Sequence, residues 1–175
     1  MSALGKLGAA TFLAAVAVYA VDHREGADAE TGGGGAAAGA GPSAVADIPA
    51  SYLKYYKAAG GTCPNMDWAL LAGIGKVETN HGRLNAPGVT SGANFAGAAG
   101  PMQFLPSTFR GVRARHPELG SNQYDPATAI QAAAYLLCDN GVRRGNTYAA
   151  IFSYNHADWY VAKVQNQAAA YRRAA

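Results

Sequence analysis

Cysteine is scarce in this chain: only Cys63 and Cys138 occur, and no CxxC pair exists. With four histidines, His23, His81, His116 and His156, that share no close ligand spacing, the residue set excludes a zinc-type site, and neither metal nor cofactor is expected. Long apolar runs are lacking too. The longest uncharged stretch near the start, Leu7 to Val21, falls short of the roughly 20 residues that span a bilayer comfortably. No strong alternating pattern demands a sheet, and no internal repeat is evident. Charge is sparse, at 14% of 175 residues, against 50% hydrophobic, which suffices for one compact domain but hardly for two.

What is present divides the chain into three. Lys6, the apolar run and the cluster Asp22, His23, Arg24 and Glu25 outline an export signal over residues 1–22, either cleaved after Ala20 or kept as an anchor. Residues 23–47, nearly all Gly, Ala and acid between Gly26 and Gly41, read as a flexible linker. The globular part is residues 48–175, with twelve basic and six acidic side chains. A domain this basic suits a polyanionic partner: nucleic acid, anionic lipid or a cell wall rich in carboxylates and phosphates. Export argues against nucleic acid, and the arginines are scattered. In an oxidising compartment an even cysteine count is most simply one bridge, Cys63 to Cys138, with two buried free thiols as the alternative.

Six short helices are expected in the domain. They run from Pro49 to about Ala59, from the cap Asp67 to about Asn80, and from Pro106 to about Arg115. Three more run from the Asp125-Pro126 pair to Asn140-Gly141, from Thr147 to Tyr154, and from Asp158 through Trp159, Val161, Val164 and Ala168. The stretch Leu84 to Leu105, punctuated by glycines and two prolines, is expected to be irregular, with brief extended pairing at most. The fold class is therefore mainly α, a single compact helical domain around a glycine-rich loop.

A carboxyl held among apolar groups has a raised pKa and can donate a proton at neutral pH. Of the six acids, Asp67 and Asp125 occupy cap positions, Asp139 adjoins a turn, Asp158 opens the last helix, and Glu118 follows Pro117 in a loop. Glu78 alone lies within the strongly apolar second helix, on the stripe of Leu71 and Ile74, although it could also be that helix's wet end. Gly73 and Gly75, costly inside a helix, suggest a close neighbour there.

Three motifs now stand in order: Lys76-Val77-Glu78-Thr79, Gly100-Pro101-Met102-Gln103-Phe104 and Tyr154-Asn155-His156, with Phe95-Ala96-Gly97 between the first two. Together they resemble the soluble lytic transglycosylases and the related goose-type lysozymes, in particular the exported actinobacterial forms, over about Ile48 to Val164. The resemblance implies a lysozyme-like fold (α+β in its usual classification) that cuts the bond between N-acetylmuramic acid and N-acetylglucosamine in peptidoglycan, outside the cytoplasmic membrane, by a monomer. It implies that Glu78 is the catalytic acid and base, that Met102 and Gln103 line the cleft beside it, and that Tyr154 and Asn155 face it. Thr79, Phe95, Gly97, Phe104 and His156 complete the implied substrate contacts, with core packing as the alternative for Met102 and Phe104. Thr79 stands where serine usually follows the acid, and His156 where small residues are common. A hydrolytic lysozyme on the same scaffold and a non-catalytic wall-binding module are the competing readings.

Overall fold

The computed structural model describes residues 44–175, so the expected signal at 1–22 and most of the expected linker lie outside the described residues. Six helices follow a short 3₁₀ turn at Ala44–Asp47: α1 Ala50–Ala59, α2 Trp68–Thr79, α3 Pro106–Arg115, α4 Pro126–Asn140, α5 Thr147–Tyr154 and α6 Asp158–Arg173. The end of the expected linker is thus structured. Asp47 forms ion pairs with Lys76 at 2.6 Å and Arg83 at 2.9 Å, which fasten the turn to the end of α2.

Local chemistry explains where the helices begin. Asp67 accepts from the Ala69 amide, Asp125 from Thr128 and Asn146 from Ala149, each satisfying a donor that the first turn leaves free. Pro106 and Pro126 occupy first-turn positions, where proline's missing N–H costs nothing. Asn80, in the left-handed region at φ 51°, ends α2.

Helix α2 is central. It packs most extensively on α6 and also meets α1 and α4. Its two glycines are dictated by those neighbours: a Cβ at Gly73 would lie 2.8 Å from the Val164 carbonyl of α6, and one at Gly75 would lie 2.0 Å from the Tyr56 hydroxyl of α1. The core holds Leu70, Leu71, Ile74, Ile130, Leu137, Ile151 and Val164, all at most 2% exposed. Filling it with such side chains is the main stabilising term. Cys63 and Cys138 are joined, their Cα atoms 6.1 Å apart, so the α1–α2 connection is tied to the last turn of α4. Closing a loop of 75 residues stabilises the fold by about 4 kcal/mol in the chain-entropy account.

The long loop between α2 and α3 contains one antiparallel bridge, Ala99 to Phe104, and no strand forms among the described residues. No helix among the described residues is long and apolar enough to cross a membrane. Gly100 is required in the loop: its φ is +80°, and a Cβ there would meet the Gln123 carbonyl at 2.0 Å.

Candidate active site

The apolar face of α2 carries Glu78 into the interior in the helix's last turn, where it is 9% exposed. Burial pushes its carboxyl up to about 7, because the charged form loses solvation, while a hydrogen bond from Tyr160 acts the other way. The Tyr160 hydroxyl of α6 donates to Glu78 Oε1 at 2.5 Å. Oε2 has no hydrogen-bond partner among the described residues. A protonated Glu78 therefore has one oxygen fixed by a phenol and one free for another molecule.

Three surrounding segments are locked together. Thr79 donates to the Pro101 carbonyl at 2.6 Å and accepts from the Gly82 amide at 2.8 Å, which pins the loop to the end of α2. Tyr154 of α5 donates to the Met102 carbonyl at 2.6 Å. Its ring lies nearly parallel to that of Tyr160, at 8° and 6.5 Å between centroids, and Phe104 meets its edge at 5.8 Å. These bonds join the end of α2, the loop, α5 and α6 around the acid.

The expected site residues fall into distinct places. Glu78, Tyr154 and the Met102 backbone come together, but the Tyr154 hydroxyl serves the loop and Tyr160 serves the acid. Met102 and Phe104 are core side chains, at 0% and 2% exposure, and Thr79 is equally enclosed at 1%, so these three shape the site from behind. Gln103, half-buried at φ 49°, spends its amide on the loop itself: it donates to the Gly88 and Gly100 carbonyls and accepts from Asn94. Asn155 is buried, and its Nδ2 finds no hydrogen-bond partner. Such an orphan donor costs about 1–3 kcal/mol. Phe95 is 78% exposed on the loop, and Gly97, at φ +82°, has open space around it. His156 is exposed beyond α5.

Tyr160 is the functional side chain that sequence reasoning missed. Its signal is nonetheless in the sequence, since it lies four residues before Val164 and eight before Ala168, placing a hydroxyl on the buried stripe of α6. Trp159, expected in that apolar helix pattern, is instead half exposed because it points to the other side.

Comparison with known proteins assigns the chain to a family. Residues 56–175 match the family model of the transglycosylase SLT domain. A protein of Enterobacteria phage PRD1 described as "Transglycosylase" is 33% identical over 99 residues, which cover 54% of this chain and 32% of the phage protein. The chain thus aligns with about a third of that relative's length, and no solved structure matches it. The family match extends over α2, the glycine-rich loop and the α5–α6 corner that hold Glu78 and its surroundings, and the chain belongs to the transglycosylase SLT domain family.

Proposed function

We propose that this protein is a peptidoglycan lytic transglycosylase that acts outside the cytoplasmic membrane. It cuts between N-acetylmuramic acid and N-acetylglucosamine with Glu78 as its one acid and base. The observation that carries the reading is the buried Glu78 carboxyl with a single phenol partner and one free oxygen.

Held near pH 7, the carboxyl is protonated in a substantial fraction of molecules and can donate to the glycosidic oxygen as the bond to the anomeric carbon breaks. The muramyl C6 hydroxyl then attacks that carbon and returns its proton to Glu78, which leaves a 1,6-anhydro ring and the enzyme unchanged. Glycosidases that use two carboxyl groups place them roughly 5–9.5 Å apart. The other five acids of the domain have capping, turn or loop positions, which favours a route in which the substrate supplies the nucleophile. Tyr160 orients the acid, and the buried Asn155 reaches the glycan only if its unpaired Nδ2 is uncovered. Exposed Phe95 and His156, with the half-buried Gly97, provide contacts on the loop and beyond α5.

Export places the enzyme beside its substrate, and the Cys63–Cys138 bond suits that oxidising setting. Mass spectrometry of fragments released from purified peptidoglycan tests the reading. Anhydro ends, one water lighter than hydrolysed ends, are expected. Hydrolysed ends would move the protein to the lysozymes, and release of no fragment at all would leave only wall binding.

A further inference from the structure

Large apolar side chains reach solvent at few places among the described residues, and two of them, Tyr148 and Trp159, each 50% exposed, belong to one surface. Tyr148, Phe152 and His156 follow at intervals of four along α5 and just past its end, so they project to one side. The Tyr148 and Phe152 rings are nearly parallel, at 11° and 6.0 Å, and the exposed His156 ring meets Phe152 edge-on at 5.4 Å. The Tyr148 hydroxyl donates to Asp158, next in sequence to Trp159, so that end of the row is tied to the start of α6. Trp159 in turn stands edge-on against Tyr160 at 5.9 Å, and Tyr160 is the residue that holds Glu78. Two exposed aromatic groups, the Tyr148–Phe152–His156 row and Trp159, thus meet at the start of α6, and Trp159 touches the side chain that positions the acid.

The chemistry of the row selects its occupant. Aromatic faces carry partial negative charge and attract the polarised C–H groups on the flat side of a pyranose ring. A polyanion or an anionic membrane would need a cluster of cations. Around Trp159 the charged residues nearest in sequence, Asp158 and Lys163, are of opposite sign, and the cations nearest Tyr148, Arg143 and Arg144, precede α5 and lie outside the aromatic row. A polymer of neutral or weakly charged sugar rings fits both facts.

We propose that Tyr148, Phe152, His156 and Trp159 form a stacking platform that grips a glycan strand beyond the cleaved bond and feeds it toward Glu78. This rests on the reading of the chain as an enzyme that cuts glycan strands. The platform supplies affinity and processive contact with the polymer, and contributes little to the chemical step.

The test uses Trp159→Ala, Tyr148→Ala and the double variant of the full chain, each also combined with Glu78→Gln so that binding is read without cutting. Soluble N-acetylglucosamine oligomers and peptide-free glycan strands are the probes, with affinity followed by calorimetry. Each single variant is expected to weaken binding about tenfold, and to raise KM for strands by a similar factor while kcat changes little. Trp159→Phe, which keeps a ring, should restore most of the affinity. Unchanged circular dichroism and thermal midpoint are expected, since both side chains are half exposed. Wild-type affinity in the double variant would overturn the platform, and so would wild-type self-association that Trp159→Ala abolishes, because the row would then be a contact between copies. If oligomers bind through these residues while no variant or wild type cuts peptidoglycan, the platform stands and the enzymatic reading fails. Cutting that is indifferent to all three variants would remove the platform and leave the enzymatic reading in place.

Discussion

Glu78 and His81 stand three residues apart at the same end of α2, both buried, and burial drives both toward their neutral forms. It pushes the carboxyl up to about 7 and the imidazole down to about 4, the latter against an upward pull from Asp47. The two differ in what they leave unpaired. His81 has Tyr56 on Nδ1 at 3.0 Å and Tyr171 on Nε2 at 2.9 Å, so its one N–H and one lone pair are both used. Glu78 has Tyr160 on one oxygen and nothing on the other among the described residues. A shifted pKa is therefore common to a structural hub and the proposed catalytic acid, and the unfilled hydrogen-bonding capacity separates them.

Replacing each residue sharpens that contrast. The largest effect is expected from Glu78→Gln, which keeps the shape and the acceptor for Tyr160 but removes the proton. Turnover of purified peptidoglycan should fall by at least about 10²–10⁴-fold while the fold survives, and a variant that still cuts at near the wild-type rate would break the comparison. His81→Ala should do the reverse. It leaves two buried tyrosine hydroxyls without a partner and opens a cavity, costing about 3–5 kcal/mol in urea unfolding, with its main effect on how much protein is folded.

The pH dependence of stability gives a subtler measure. Glu78 holds its proton more tightly in the folded state than its ordinary value of 4.5 allows, so stability falls as pH rises from 4.5 to about 7, by roughly 3 kcal/mol in all. His81 binds its proton more weakly than its ordinary 6.5, so stability falls as pH drops from 6.5 to about 4, by a similar amount. Between about 4.5 and 6.5 the two slopes oppose each other, and urea titrations of the wild type should vary little there on their account. Glu78→Gln should expose the histidine slope, with stability rising through that window, and should be the more stable protein at pH about 8. A flat profile in that variant would mean that His81 is not held neutral.

The smallest effect is expected from Tyr160→Phe. The lost hydrogen bond stabilised the Glu78 carboxylate, so its removal should carry the alkaline limb of kcat/KM upward by up to about one pH unit. A limb that stays in place would show that the phenol only positions the acid.

Much of this is legible in the residues. Caps and breakers act within a turn of themselves, which is why Asp67, Pro106, Asp125-Pro126 and Asn140-Gly141 place helix ends well. The inward position of Glu78 follows from the spacing of Leu71 and Ile74, and the cost of glycine in a helix points to the close approaches at Gly73 and Gly75. Partners far apart in the chain are not legible. Tyr160 lies 82 residues from Glu78 and Tyr171 lies 90 from His81, and no local rule couples such positions. The hydrogen bonds of Gln103 are hidden for the same reason: its side chain closes on Gly88, fifteen residues back, a contact that only the folded loop creates.

The 3₁₀ turn at Ala44–Asp47 has a mechanical consequence. Lys76, which Asp47 grips, lies two positions before Glu78 and so on nearly the opposite side of α2. A pull on the chain at Ala44 would be borne by the Asp47 pairs with Lys76 and Arg83, at the rear of α2. Loaded from that side, α2 would keep its Glu78 face turned away from the strain.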